Sequence, residues 1–372
     1  MDINVKKFLD KALKAVLCKI IELLAAVVSC TGRTHESFMN LVCIVMERKA
    51  RCFCRYRLYP IETGGDCTRS HIKTDTEAGE LAIILQGPVD TKYNFTLETV
   101  RLYKKIFPDS IIILSTWDST SGQLIEEFKR EGCEVVINKS FSSSGFCNLN
   151  YQLCTSLSGL EKARELGAKY CIKNRSDLRI YKEFGFEFMK SLLEMMPLKL
   201  KENDKVPQRG RIISLNGLSG QLFFPYWLQD YLYFGFTEDL INLFDIDYDT
   251  RIESGLKAKN GKEFCELVPP EIYITKQYLS KYMKLDDNVE SYWDAVRRYF
   301  IILDFGDLNV IWKDKYGLYP QDAVMCEYPA GVIIKDPYRN FTFSNFINVY
   351  QNRYVHCDYY EKARELLQCP RR

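Results

Sequence analysis

The chain has 372 residues, 47% hydrophobic and 27% charged, with 51 basic and 49 acidic side chains for a net charge of +2. That length suits one large α/β domain or two smaller ones, and the composition excludes a disordered chain. The balanced charge leaves no global nucleic-acid footprint.

Residues 1 to about 58 read as two helices. Phe8, Leu9, Leu13, Val16, Leu17 and Ile20 recur at helical spacing, continued by Leu24 and Val27, with lysines largely elsewhere. Two accounts stand side by side: a basic amphipathic helix lying on a membrane surface, and packing against the second apolar stretch, Phe38 to Met46. The basic run from Arg48 to Arg57 favours anionic head groups. No uninterrupted apolar span of about 20 residues and no cleavable signal peptide are apparent. The expected location is cytoplasmic, with a peripheral seat on the inner face of a membrane as the alternative. Pro60, Gly64, Gly65 and a polar stretch to Glu80 form a linker.

From Leu81 the pattern alternates strands and helices. Leu81 to Leu85 is an apolar strand, Phe95 to Ile106 a helix, and Ser110 to Ser115 a strand. Gly122 to Arg130 is helical, Glu134 to Asn138 a strand, and Asn148 to Leu166 a long helix. Tyr170-Cys-Ile172 starts a fourth strand. Such alternation predicts a mostly parallel, Rossmann-type sheet with flanking helices, and right-handed crossovers put the strand C-terminal ends on one edge. Ligands bind open α/β sheets at that edge. After a helix from Phe184 to Met195, Ile212 to Leu215 and Gln221 to Phe224 read as strands. Helices are expected over Glu238–Leu243, Pro270–Tyr282 and Val289–Phe300.

The polar loops at the edge carry the candidate chemistry. Lys173, Arg175, Asp177 and Arg179 share a face if the fourth strand stays extended. Arginine and lysine hold diphosphate oxygens, and an acid among them can bind a divalent metal or a sugar hydroxyl. A solvated loop with an ordinary ion pair is the plain alternative. Gln86-Gly87-Pro88 ends the first strand, where Gly87 lets backbone approach a ligand. Asp118 can hold a ribose hydroxyl or a base with Trp117 stacking, or simply start a turn. Asn148, with Asn150, opens the long helix, either as its cap or as an N-terminus aimed at a diphosphate.

In the second half, Asp230 stands among Trp227, Tyr231, Tyr233 and Phe234. Apolar surroundings raise a carboxyl pKa and suit a general base, although a buried acid satisfied by its neighbours reads the same way. Pro269-Pro-Glu271 is ordinary helix-start chemistry. Asp245-Ile-Asp247-Tyr-Asp249 lacks EF-hand spacing and reads as a solvated loop. The 14 cysteines lie scattered without CxxC spacing, as free thiols of a reducing compartment do, and the three histidines fall outside every motif. There is neither a GxGxxG nor a GxxxxGK[ST].

Ile84-Leu-Gln-Gly-Pro-Val89, Phe107 to Trp117, Asn148 to Gln152 and Lys173 to Asp177, in that order, resemble the WavE family of lipopolysaccharide-synthesis proteins. Asp230-x4-Gly235 and Pro270-Glu271 resemble the family's later motifs, so the resemblance runs from about Leu81 to Leu279. It implies a GT-A-like nucleotide-sugar glycosyltransferase that adds a sugar to a surface glycan or a lipid-linked glycan. The chain is accordingly expected to divide into three regions: an N-terminal helical segment and linker (1–78), a nucleotide-sugar-binding half (79–196) and an acceptor-side half with C-terminal helices (197–372), of which the resemblance leaves the first 78 residues and the last 90 or so uncovered. Asp177, Asp230 and Glu271 are then the catalytic candidates, and Gln86, Gly87, Asp118, Asn148, Asn150, Lys173 and Arg175 the donor-binding ones. Position 175 is Arg where an Asp-x-Asp pair is usual, so Asp177 is the one candidate ligand for Mg2+ or Mn2+, and the cations can serve in the metal's place. Two rivals remain: another nucleotide-dependent transferase, and a non-catalytic glycan-binding or scaffold protein.

Overall fold

The computed structural model describes residues 3–30, 35–50, 58–62, 76–201, 204–216, 222, 224–251, 266–313, 326–327, 333–334 and 341–353. Residues 1–60 form one compact unit and residues 61–372 a second. The first holds α1 (Ile3–Cys30) and α2 (His35–Val45), the latter running into a π-helical turn at Met46–Ala50. No helix among the described residues is long and apolar enough to cross a membrane.

The second unit is built on a seven-stranded sheet. Its strands are β1 (Leu81–Gln86), β2 (Ile111–Trp117), β3 (Glu134–Asn138), β4 (Tyr170–Arg175), β6 (Ile212–Asn216), β7 (Leu232–Phe236) and β8 (Phe300–Asp304), in the order β3-β2-β1-β4-β7-β6-β8. A separate ribbon pairs β5 (Leu178–Ile180) with β9 (Val310–Trp312), and β10 (Cys326–Glu327) pairs with β11 (Ile333–Ile334). β1, β2, β3 and β4 are mutually parallel, as are β6 and β8, and β7 is antiparallel to both of its neighbours. All six residues of β1 are buried, as an apolar strand covered on both faces must be.

The helices of this unit are α3 (Phe95–Ile106), α4 (Gly122–Arg130), α5 (Leu149–Glu165), α6 (Gly185–Met195), α7 (Thr237–Phe244), α8 (Pro270–Ser280), α9 (Val289–Tyr299) and α10 (Phe343–Tyr350). α5 lies close on β1 because it carries Gly159, where a Cβ would stand 2.5 Å from Ile84 Cγ2 and 3.2 Å from Ser115 Cβ. Gly159→Ala should therefore cost ~1–3 kcal/mol despite alanine's better helix propensity, read as a lower urea midpoint at unchanged slope. A variant as stable as the parent would show that the sheet yields freely there.

The second half departs from expectation at one strand. Leu222 and Phe224 are not in a strand; Phe224 packs edge-on against Trp227 with centroids 5.8 Å apart. The strand lies further on, as β7, whose Leu232–Phe236 register pairs with Tyr170–Asn174 of β4. The sheet therefore runs unbroken through both the 79–196 and the 197–372 segments. The strand order reverses between β1 and β4, so their connections diverge and leave a crevice beyond Gln86 and Arg175.

Candidate active site

The rim of that crevice is two turns laced together. Ser176 donates its N–H to the Gln86 carbonyl (3.0 Å) and its Oγ to the Pro88 carbonyl (2.6 Å). Gly87 makes the close approach feasible: its φ is +109° and a Cβ would stand 3.4 Å from Ser176 Oγ. Gln86 is buried, with Oε1 accepting from Thr155 Oγ1 of α5 at 2.8 Å.

Arg175 ends β4 and points its fork at Asp177, with Nε to Oδ1 and Nη2 to Oδ2 both at 2.8 Å. Trp312 Nε1 donates to Asp177 Oδ2 at 2.9 Å, and the Arg175 guanidinium lies 5.0 Å from the Trp312 ring centroid. Burial raises the Asp177 pKa, but the hydrogen bonds and charge of Arg175, with the Trp312 N–H, outweigh it and hold the carboxyl below its ordinary value. Both side chains keep 30% exposure.

Behind the rim the polar groups sink into the interior. Lys173 is fully buried, with Nζ donating to the Asp230 carbonyl at 2.6 Å and lying 5.3 Å from the Phe244 ring. Burial brings its pKa down to about 7, against the opposing pull of Asp230. Asp230 is itself buried just before β7, and Gln152 Nε2 also donates to its carbonyl, at 3.2 Å. Glu271 follows Pro270 in the first turn of α8. Its Oε2 is buried with no hydrogen-bond partner among the described residues, and so is Tyr233 Oη. Burial first, and then the charge of Asp230, push the Glu271 carboxyl up to about 8, while Arg175 acts in the opposite sense. This is a poised acid among opposed charges, not the solvated helix-start glutamate that Pro-Pro-Glu suggests. Such groups near neutrality suit proton transfer.

Only part of the expected face exists. Lys173 and Arg175 keep the two-residue alternation of β4, but the strand ends there and the chain turns at Ser176-Asp177. Arg179 falls in β5, fully buried, donating to Thr99 Oγ1 (2.9 Å), Phe95 O (2.8 Å) and Ile61 O (2.8 Å) and stacked 4.2 Å over Phe95. It is a structural arginine. The aromatic side chains around Asp230 are likewise core: Trp227, Tyr231, Tyr233 and Phe234 are all buried.

Asp118, Asn148 and Asn150 belong to a second group, around the 140–150 loop. Asp118 is exposed and accepts from Ser140 Oγ at 2.7 Å. Trp117 packs edge-on against Tyr151 (5.2 Å) and Phe141 (6.1 Å) instead of standing free to stack. Asn148 makes no side-chain cap, because its left-handed backbone (φ 62°) turns the chain into α5. Asn150 is buried, donating to Ser143 O (3.0 Å) and Asp249 O (2.8 Å) and accepting from Asp249 N (2.7 Å). Asp249 is correspondingly no solvated loop residue: it is buried, holding Phe146 N at 2.9 Å and Arg251 Nε at 2.7 Å.

Two functional neighbours have no signal in the local sequence. Trp312 reaches Asp177 from 135 residues away because β9 pairs with β5. The next residue, Lys313, donates its N–H to Asp177 O at 3.3 Å and pairs its ammonium with Asp90. These residues do not fit a divalent cation. Both Asp177 oxygens are taken by a guanidinium and an indole, and the neighbouring Asp90 is neutralised by Lys313. A cavity of about 470 Å³ lined by Glu80, Lys169 and Lys190 lies at the opposite sheet edge, where both lysines already pair with Glu80 (3.5 and 3.2 Å).

Solved structures with some likeness include a putative nucleotide-diphospho-sugar transferase from Desulfovibrio desulfuricans G20. The match is 10% identical, covers 61% of this chain and 80% of that one, and has a TM-score of 0.34. A 4-diphosphocytidyl-2C-methyl-D-erythritol synthase from Anaerococcus prevotii shares 9% identity, covering 52% and 86%, at TM-score 0.31. A glycosyltransferase involved in glycosylation of the major capsid of PBCV-1 shares 10%, covering 61% and 82%, at TM-score 0.27. Likeness at that level decides no function. No curated protein matches the chain. The family model described as WavE lipopolysaccharide synthesis matches residues 81–298, which span every strand from β1 to β7 and include Arg175, Asp177, Asp230 and Glu271 but not Trp312 or Lys313, and the chain belongs to that family.

Proposed function

We propose that the protein is a glycosyltransferase that uses a GT-A-like donor crevice to move a sugar from a nucleotide-sugar donor to a growing surface glycan, of lipopolysaccharide or capsule type. The observation that carries this reading is Glu271 Oε2, buried with no hydrogen-bond partner among the described residues, in a chain whose sheet has a cationic rim at its switch point.

In this reading Arg175 receives the donor diphosphate with the fork it now gives to Asp177, and the switch-point turn at Gln86 and Gly87 faces the donor. Asp177 orients Arg175 before the donor arrives, and the carboxylate positions that the fork gives up then accept from a sugar hydroxyl. For inverting transfer, the acceptor oxygen bonds to the anomeric carbon as its proton passes to the Glu271 or Asp230 carboxylate. The bond from that carbon to the diphosphate oxygen breaks, and the nucleoside diphosphate leaves with the electron pair. Arg175, with Lys173 behind it, stabilises the developing charge in place of a metal. A nucleotidyl or phosphoryl transferase would call for paired acids around Mg2+, and Arg175 occupies the place of the second acid.

A thermal-shift and turnover panel of UDP-, GDP-, CMP- and TDP-sugars, with and without Mn2+ or Mg2+, tests the proposal. One donor class should raise the melting temperature without metal and be consumed by the parent, and Asp177→Asn should fold but not turn it over. Absence of binding and turnover across the panel would favour a scaffold role, and full activity of Asp177→Asn would remove that residue from the site.

A further inference from the structure

The described residues of the helical unit present an exposed apolar face that the catalytic reading does not use. Along α1, Leu13, Val16, Leu17, Ile20, Leu24 and Val27 are each between 48% and 58% exposed. Ile21 and Leu23, at 55% and 67%, flank the row. On α2, Leu41, Ile44 and Val45 are 43% to 55% exposed. At about 100° per residue, the α1 apolar positions between Leu13 and Val27 fill an arc of roughly 160°, from Leu23 round to Ile21, with Lys19 and Glu22 across the opposite side. A soluble helix pair does not leave a continuous apolar surface of this kind bare.

Charge says what covers it. Residues 1–60 carry 11 Lys/Arg against 5 Asp/Glu, net +6, and the other 312 residues carry 40 against 44, net −4. The excess is carried by the same stretch of sequence: lysines along α1, exposed Arg48 and Lys49 after α2, then Arg51, Arg55 and Arg57 in sequence. A second copy of the same unit would set +6 against +6. An anionic bilayer surface accepts both features, apolar side chains below the head groups and cations among them. The charges along α1 break any apolar span, so the helix cannot cross.

We propose that α1 and α2 form a monotopic membrane-docking element that lies in the head-group region of an anionic bilayer through the apolar faces of the two helices. This goes beyond the catalytic proposal and does not rest on it. Its occupant is the bilayer itself, recognised by negative surface charge and accessible acyl chains.

Co-sedimentation of the full chain with phosphatidylcholine vesicles, with and without phosphatidylserine, tests it. The protein should pellet with the anionic vesicles, bind neutral ones much less, and be partly released by high sodium chloride. Leu17→Glu with Leu24→Glu should lower partitioning by roughly tenfold or more while leaving helix content by circular dichroism and donor binding unchanged. Arg48→Gln with Lys49→Gln should erase part of the preference for anionic over neutral vesicles. Three results would overturn the proposal. The protein could stay in the supernatant with anionic vesicles at low salt. The double glutamate variant could pellet like the parent. Or the face could prove to be a self-association surface, seen as a dimer in light scattering that the glutamates convert to monomer while vesicle binding is absent.

Discussion

Glu271→Gln should abolish turnover and, above neutral pH, leave the protein more stable than its parent. The two effects have one cause. Glu271 is pushed up to about 8 by burial and by Asp230, whereas an unfolded glutamate titrates near ~4.3. Between those values the folded chain binds more protons than the unfolded one, so this group makes stability fall as pH rises through the window, and the deficit is constant above it. Glutamine has no charge to bury. The variant's advantage should be small near pH ~4, grow through neutrality, and reach ~1–3 kcal/mol near the folded pKa, allowing for relaxation around Asp230. Turnover should drop by roughly a hundredfold to ten-thousandfold, the usual worth of a positioned acid or base. Denaturant titrations across that pH range and initial rates with the donor found by the panel measure both. A pH-independent stability difference would mean that the carboxyl is not buried as charge, and parental turnover would pass the base role to Asp230.

Arg175→Ala should reduce kcat/KM by roughly a hundredfold to a thousandfold, with donor affinity carrying much of the loss. It should also cost ~1–2 kcal/mol, because Asp177 keeps the Trp312 N–H but loses both bonds of the fork. The acid limb of the stability curve adds a check. Asp177 lies below its ordinary value in the folded protein, so its contribution is present above the unfolded carboxyl pKa and is lost as pH falls through the folded one. Without Arg175 that contribution shrinks and the acid limb flattens. Arg175→Lys separates charge from geometry: it retains the cation and loses the paired donors, and should fall between alanine and parent. If alanine and lysine variants bind donor like the parent, the diphosphate sits elsewhere on the rim.

The first half of the fold is legible in the sequence because its signals are local. Phe95–Ile106, Gly122–Arg130 and Glu134–Asn138 have the bounds the pattern predicts, since Phe107-Pro108 and the glycines punctuate strong periodic runs. The crevice follows from strand alternation alone. What escaped local reading depends on long-range pairing. β7 looks like a motif of aromatic residues because a strand buried on both faces has no alternation to reveal it. Asp177 reads as an open acid until β9 brings Trp312 and Lys313 to it. Glu271 has the local grammar of a helix start, and nothing near Pro269 says that its carboxyl will be enclosed beside Asp230.

The bond from Lys173 to the Asp230 carbonyl constrains how this protein can be taken apart. The ammonium lies in the 79–196 segment, and its acceptor arrives 57 residues later, just before the reversed strand β7. A fragment ending at residue 196 would strip Lys173 of its Asp230 acceptor and of the Tyr233 and Phe244 rings that cover it, and would leave β4 with a naked edge. The two segments are therefore not interchangeable cassettes. A chimaera that borrows a donor half from a relative must borrow the 230–236 segment with it, and selection on either side of that seam acts on both.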